Sequence, residues 1–260
     1  RMTLGADNAG RPYNQKYGRT ANVLSWLPTN TSYNSLQAKL DRRFKNGFLV
    51  TTSYTLGRAI NYSGETDIDT PADPERSRGR ADFDRTHVFA SSFIWDMPFF
   101  KEGGGVLHWA LGGWQVSVIF AVWSGERINL RYTPSAAFQV SGITQPFRGA
   151  NAYRPNVIGD PLAPAGERSI TYYFDKANVV LPTDPSQPFG DAKRNSVMGY
   201  PIRQVDFALA KSFPLPWRES RLQLRVEAFN LFNRTNFRAA NSNRSSAGFG
   251  TITSTYDARQ

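Results

Sequence analysis

Six segments of the chain alternate apolar and polar residues, which is the period-two pattern of a β-strand with one apolar and one polar face. In the last of them, Leu222 and Leu224 alternate with Gln223, Arg225 and Glu227. Each segment is about ten residues long, close to the roughly 9–11 residues with which a tilted strand crosses a bilayer. The segments cover residues 35–44, 48–56, 86–97, 114–123, 204–213 and 221 to about 230. The pattern predicts an all-β fold of antiparallel, transmembrane-length strands.

The connections between these segments are short and long in turn. Residues 45–47 and 214–220 form short turns, whereas residues 57–85 and 124–203 form long polar loops. Outer-membrane barrels sort their connections in this way, with short periplasmic turns and long extracellular loops. We therefore predict a partial up-and-down transmembrane β-barrel of about six strands. Its strands occupy residues 35–232, residues 1–34 end one extracellular loop, and residues 233–260 form the last one.

Aromatic residues cluster at the two ends of the predicted strands, as the interfacial girdles of a membrane barrel do. The alternative is a soluble β-sandwich in which the same residues form the core. In residues 86–97 both faces are rather apolar, so the orientation of that strand stays open. The aromatic residues are Phe44, Phe48, Trp95, Phe99, Phe100, Trp114, Phe213 and Trp217 near the short turns, and Tyr54, Trp123 and Phe232 toward the other end.

The composition narrows the class of protein further. The chain has 260 residues, a net charge of +10 and no cysteine, which excludes disulfide scaffolds and thiolate zinc sites. A basic excess first suggests nucleic acid, but the charge is spread mainly over the long loops and no nucleic-acid-binding motif is present. We therefore predict no nucleic-acid partner. Arginine pairs well with phosphate, so lipopolysaccharide at the cell surface is an expected partner, beside an anionic ligand or simple loop solubility.

Motifs for catalysis or cofactor binding are not found in the sequence, so we predict no enzyme activity, no cofactor and no metal site. Residues 65–84 hold several aspartates that could bind calcium, but interleaved arginines favour a network of carboxylate–arginine pairs. Ligand contacts are expected from the long loops and from polar side chains facing the lumen. The candidates are Arg76, Arg78, Arg80, Arg127, Arg131, Arg225 and Glu227.

An ordered set of segments resembles the TonB-dependent outer-membrane receptors, in particular their Oar-like subgroup. The segment EAFNLFNRTNF at residues 227–237 is similar to the NLFN signature near the end of these receptors, here Asn230, Leu231, Phe232 and Asn233. Further segments in the family's order are SYNSLQAKLDRRFKNGFLVTTSYTLGRAI, DFDRTHVFASSFIWDMPF, LGGWQVSVIFAVWSGERI, RPNVIGDP, FGDAKRNSVMGYPIRQVDFALAKSF and FGTITSTYDARQ.

The resemblance implies a barrel of about 22 strands, of which this chain supplies roughly the sixteenth to the twenty-first. It implies import of a large scarce nutrient across the bacterial outer membrane, without catalysis. The implied partners are the rest of the barrel, a plug in its lumen, and the TonB complex contacted through an N-terminal part. We expect that part and the final strand to lie outside the given sequence.

A second function also fits the pattern. Six strands that do not close a barrel have two unpaired edges, and such edges are templates for pairing with other chains. The chain could then be a structural or adhesive fragment that assembles edge to edge into an oligomer or a fibre.

Overall fold

The computed structural model describes residues 16–18, 30–45, 47–62, 74–100, 105–138, 153–215, 217 and 220–256. Six long strands dominate: β1 (Ser32–Lys45), β2 (Phe48–Asn61), β4 (His87–Asp96), β5 (Trp114–Trp123), β10 (Ile202–Pro214) and β11 (Arg221–Ala228). Five two-residue strands lie between them: β3 (Gly79–Arg80), β6 (Arg127–Ile128), β7 (Asn156–Val157), β8 (Val179–Val180) and β9 (Val197–Met198). Short helices lie at Pro74–Ser77 and Val106–Leu111, and a 3-10 turn lies at Ala136–Phe138. The predicted all-β class is confirmed.

The long strands form one antiparallel sheet in the order β1-β2-β4-β5-β10-β11. Each long strand pairs with the next long strand along the chain, which is the predicted up-and-down arrangement. The short strand β3 pairs with β2 beyond the end of β4. Within the described residues, the outer edges of β1 and β11 have no strand partner, so this part of the barrel is open.

The hydrogen-bond register places most of the large apolar residues of the six strands on one face of the sheet, whereas Leu49, Ile94 and Ile119 lie on the other. Paired residues in an antiparallel ladder point to the same side, and a slip of one residue would reverse the side. Phe89 of β4 stands opposite Val122 of β5, which resolves the orientation that the alternation left open. We call this the apolar face; its members are Leu36, Ala38, Leu40, Phe48, Val50, Tyr54, Leu56, Phe89, Phe93, Trp95, Trp114, Val116, Val118, Phe120, Val122, Val205, Phe207, Leu209, Phe213, Leu222, Leu224 and Val226.

The opposite face of the sheet, which we call the polar face, carries mostly polar and small residues. Its members include Gln37, Lys39, Asp41, Thr51, Ser53, Thr55, Ala90, Ser92, Gln115, Ser117, Gln204, Asp206, Ala208, Ala210, Gln223, Arg225 and Glu227. The apolar face is the more unusual one because its large side chains are exposed: Leu36 is 65% exposed and Val226 is 61% exposed. A continuous exposed apolar face of this extent is typical of a surface that contacts lipid or another protein. No helix in the described part of the chain is long and apolar enough to span a membrane.

Aromatic residues gather where the short turns join the strands, as predicted for one girdle. Phe48 stands opposite Trp95, and the ring of Phe213 lies 5.3 Å from that of Trp109 in the helix Val106–Leu111. At this end Trp217 is exposed at the tip of the turn between β10 and β11. The side chain of Phe44 lies outside the described residues. Trp123, predicted for the opposite girdle, lies on the polar face because it is an odd number of residues from Trp114.

The loop at residues 124–203 and the residues after β11 fold together at the other end of the sheet. Their shared core is built from Ile128, Leu130, Tyr173, Phe174, Val179, Val197, Ala240 and Phe249. Two small ladders, β6 with β9 and β7 with β8, connect distant parts of the loop at residues 124–203. The residues after β11 complete this core, so the last loop is packed against the longest one.

The structure extends β2 to Asn61, five residues into the predicted loop at residues 57–85, shortens the sixth predicted strand, and adds a helix to one connection. The sixth strand ends at Ala228, because residues 229–232 turn and Asn230 has a positive φ of 47°. The connection at residues 98–113 contains the helix Val106–Leu111. Gly47 closes the first hairpin with a φ of 77°, a conformation that favours glycine.

A charge placed on the apolar face should destabilise the protein if that face contacts lipid. We expect Val118→Arg, in the middle of β5, to cost about 2–4 kcal/mol in the free energy of unfolding. The matched control is Ile119→Arg, because Ile119 is 54% exposed on the polar face and should tolerate the charge. Urea unfolding of the full-length protein in lipid vesicles measures both; equal costs would contradict the assignment of the faces.

Candidate functional site

A concavity lies where β2 ends and the long loops begin. It has a volume of about 440 Å³ and is bordered by β2, by the helix Pro74–Ser77 and by residues 191–196. Seven of its lining residues are basic and two are acidic. The basic residues are Arg58, Arg76, Arg78, Arg80, Arg154, Lys193 and Arg194, and the acidic ones are Glu75 and Asp191. We call it the arginine cavity.

Two buried arginines build the walls of this cavity by donating to backbone and side-chain oxygens. Arg154 is 1% exposed; its Nε donates to the carbonyl of Ala192 at 2.9 Å. Arg194 is 3% exposed; its Nη1 donates to Asn61 Oδ1 at 2.6 Å. A guanidinium has five donors in a planar fork, so one side chain can hold several irregular segments together. The arginines thereby connect β2 with loop segments that are distant in sequence.

Close backbone approach also shapes the cavity at Gly79. A Cβ atom added to Gly79 would lie 2.6 Å from the carbonyl oxygen of Arg194, too close for any side chain. Next to Arg194, Asn195 Nδ2 donates to the carbonyl of Arg80 at 2.7 Å. Residues 194–195 therefore pack directly on β3, which fixes the position of Arg80 at the rim.

A buried carboxylate, Asp84, connects Arg80 to β2 and to the longest loop. Asp84 is 2% exposed, and its Oδ1 accepts the backbone N–H of Ala59 at 2.7 Å. Its Oδ2 pairs with Arg80 Nη2 at 2.8 Å and with Arg127 Nε at 3.0 Å. Thr86 Oγ1 accepts hydrogen bonds from the same two arginines. The carboxylate thus satisfies β2 between its ladder with β4 and its ladder with β3, and it neutralises part of the local positive charge.

The pKa of Arg80 reflects its burial and the positive charge around it. Burial lowers the pKa of Arg80 below its usual range, and the positive charge of Arg127 acts in the same direction, against the opposing effect of Asp84. A guanidinium stays protonated at neutral pH despite such a shift. The region therefore keeps a concentrated positive charge, which is the electrostatic condition for binding an anion.

The structure brings together some of the ligand-binding residues predicted from the sequence and separates others. Arg76, Arg78 and Arg80 line the arginine cavity, and Arg127 joins them through Asp84. Arg131 lies elsewhere: it is exposed and forms a backbone bridge with Asn243 of the last loop.

The predicted pair Arg225 and Glu227 lies on the polar face of β11, at the edge of the sheet. Their side chains form an ion pair at 2.5 Å, and both are about half exposed. The two charges neutralise each other there, so this pair is separate from the positive charge of the arginine cavity.

Four basic residues of the cavity were not among those predicted: Arg58, Arg154, Lys193 and Arg194. A weak signal existed for all four, because the segments that resemble the receptor family include SYTLGRAI, RPNVIGDP and FGDAKRNS. Arg58 lies in a segment that otherwise alternates as a strand, so nothing there marked it as a site residue. Their convergence depends on loop contacts that local patterns do not encode.

The NLFN signature forms the turn that follows β11. Hydrogen bonds join this turn to β10. Asn230 donates its backbone N–H to Asp206 Oδ1 at 2.8 Å, and Leu231 donates to the carbonyl of Val205 at 2.7 Å. Asn233 has a positive φ of 49°, which asparagine tolerates well. In this structure the motif stabilises the end of the strand.

The candidate calcium segment is described only in part. Asp67, Asp69 and Asp73 lie outside the described residues. Asp82 pairs with Arg194 at 3.2 Å, and Asp84 pairs with two arginines, as the favoured network of carboxylate–arginine pairs requires. In the described part of the chain, no group of three or more His, Cys, Asp or Glu residues could hold a metal ion.

The comparison with known proteins agrees with this geometry. The sequence matches the family described as "Outer membrane beta barrel domain" over residues 2–260. The chain belongs to the outer membrane beta barrel domain family. This membership implies that it resides in the bacterial outer membrane, so the exposed apolar face of this barrel domain is the face that meets lipid. No curated protein and no solved structure gives a significant match.

Buried tyrosines support the loop core of this outer membrane barrel domain beside the arginine cavity. The ring of Tyr153 lies 5.3 Å from that of Phe189, and Arg76 lies over Phe189 at 5.2 Å. Burial raises the pKa of Tyr132 to about 12 and that of Tyr173 to about 12. The hydroxyl of Tyr173 donates to the carbonyl of Met198 at 2.6 Å, and that of Tyr132 donates to Pro188.

Removing the charge of Asp84 should loosen the loops. Asp84→Asn leaves Arg80 and Arg127 partly buried without their counter-charge, and we expect a loss on the order of 3 kcal/mol in unfolding free energy. The control is Asp184→Asn, because Asp184 is exposed and its carboxylate contacts only Ser186 among the described residues. Urea unfolding and limited proteolysis of the loops report the change; similar behaviour of both variants would contradict a stabilising role for Asp84.

The loop core should lose stability as the pH rises from about 10 to about 12. The folded state holds the protons of Tyr132 and Tyr173 more tightly than the unfolded state, so their contribution is complete below pH 10 and disappears above pH 12. Thermal unfolding across this range measures the loss. The double variant Tyr132→Phe and Tyr173→Phe should reduce the slope, whereas Tyr256→Phe should keep it; an unchanged slope in the double variant would refute the assignment.

Proposed function

We propose that the chain is a section of the barrel wall of a TonB-dependent transporter that imports a large scarce nutrient and performs no catalysis. The observation that supports this most strongly is the continuous apolar face, produced by six consecutive antiparallel strands in one register. Family membership makes the chain an outer-membrane barrel, and the ordered receptor-like segments favour the TonB-dependent class. The long loops, folded around their own core, are typical of large receptors rather than of small barrels.

The proposal orients the sheet in the membrane. The short turns at residues 45–47 and 214–220 face the periplasm, and the long loops face the cell exterior. The polar face points into the lumen, where Asp206 and the ion pair of Arg225 and Glu227 are available to a plug or to a passing ligand. Arg131, exposed on the loops, is available to a ligand arriving from outside.

The open edges of the sheet favour a second candidate function. β1 and β11 each pair on one side only within the described residues, and nearly all their residues with described side chains are exposed. In the transporter these edges pair with the neighbouring strands of the same barrel. In a structural or adhesive protein they would pair with other copies and form an oligomer or a fibre.

Binding to TonB tests the first candidate directly. We expect the full-length protein, purified from outer membranes in detergent, to be retained on the immobilised periplasmic domain of TonB from the same organism. Deletion of the segment that the proposal places before the barrel should abolish retention while the barrel keeps its heat-modifiable migration on gels. A folded full-length protein that is not retained would refute the proposal, and regular assemblies formed without detergent would favour the second candidate.

A further inference from the structure

Both β2 residues that line the arginine cavity lie on the lipid-facing side of the barrel wall. Side chains alternate along β2, so Arg58 and Ile60 lie on the same face as Tyr54 and Leu56 of the apolar face. Both Arg58 and Ile60 line the cavity, whereas the intervening Ala59 does not. Ile60 stands opposite Arg80 in the ladder with β3. Arg80 therefore lies on the same face as Ile60.

The height of Arg58 along β2 matches the edge of the membrane. Arg58 follows Phe48, the first residue of the strand, by ten positions. Ten residues rise about 33 Å along a strand, which is about 25 Å along the barrel axis at a tilt near 40°. The apolar band of an outer-membrane barrel is also about 25 Å tall. Arg58 therefore lies at the level of the lipid head groups on the long-loop side.

The charge of the cavity suits a phosphate group. Seven basic residues and two acidic ones line it, and Arg58, Arg78 and Lys193 are the exposed members that a ligand would meet first. Among the described residues, Arg58 and Lys193 form no ion pair with a carboxylate. Arg58 and Lys193 therefore lie among like charges, which repel one another, and a phosphate would relieve the repulsion through charge-assisted hydrogen bonds.

An apolar surface continues directly below the cavity. Leu56 is 39% exposed and stands opposite Leu36, which is 65% exposed on β1. A ligand that spans both surfaces needs an anionic head and an apolar body. A free anion would contact only the arginine cavity. A nutrient inside the lumen would contact the other face of the sheet.

We propose that the arginine cavity binds a phosphate group of lipid A, the phosphorylated lipid of the outer leaflet, with its acyl chains against the apolar face below. The inference uses the orientation given under the proposed function, in which the long loops face the exterior. It reassigns Arg76, Arg78 and Arg80 from nutrient binding to the contact between the barrel and its membrane. Arg58, Arg78 and Lys193 contact the lipid, while Arg154 and Arg194 hold the cavity in shape.

Native mass spectrometry of the full-length protein in detergent, with defined lipids added, tests this. We expect lipid A to bind, and lipid A stripped of its phosphates to bind far less. The triple variant Arg58→Gln, Arg78→Gln and Lys193→Gln should bind lipid A at least about tenfold more weakly, since hydrogen bonds to charged groups are lost. A matched variant removes the same charge elsewhere, through Lys176→Gln, Arg221→Gln and Arg234→Gln, and should bind as the unaltered protein does.

Several results would overturn the inference. Unchanged lipid A binding by the triple variant would show that the cavity is not the site, and equal losses in both variants would show an effect of net charge alone. Preference for phosphatidylglycerol would place the cavity at the inner leaflet, and competition by inorganic phosphate at equal concentration would indicate a site for a free anion. Retention on TonB does not depend on these side chains, so failure of the lipid A test and failure of the transporter proposal are distinguishable.

Discussion

Backbone hydrogen bonding in lipid is the constraint from which the rest of this structure follows. Hydrocarbon offers no partner to an N–H or a carbonyl group, and each unsatisfied group costs several kcal/mol, so strands that cross a membrane must pair with one another. The ladders that satisfy the backbone also set the register. In this chain the register sends Leu36, Phe89 and Leu209 to the same side, so a single face meets lipid. Between the ladders of β2 with β4 and with β3, the carboxylate of Asp84 takes the place of a strand carbonyl.

Outside the membrane, arginine side chains donate to backbone carbonyls that strand ladders satisfy within it. The long loops have few regular strands, and their backbone carbonyls need other donors. Arg154 and Arg194 provide several donors each from buried positions, which lysine could not do with the same planar geometry. The basic excess of the chain therefore has a structural use in the loop layer, and the part of it that is exposed at the arginine cavity is free to act on a ligand.

Local patterns predicted the strands well because a strand's two faces meet different surroundings. The segment at residues 114–123 coincides with β5, and the hairpin of β1 and β2 closes at the predicted turn. The candidate site was predicted only in part. Arg76, Arg78 and Arg80 are near one another in sequence and remain so in space, whereas Arg154 and Arg194 come from a segment whose path depends on the loop core.

The sequence alone determined where the strands lie, which side is apolar in every strand except β4, and which connections are long, since these follow from the period-two alternation and from turn chemistry. The tertiary structure decided the relative orientation of β4, the packing of the last loop on the longest one, and the assembly of the arginine cavity. Those features depend on contacts between residues up to 133 positions apart, as between Asn61 and Arg194. Many alternative contacts compete over such separations, and only the complete fold selects one of them.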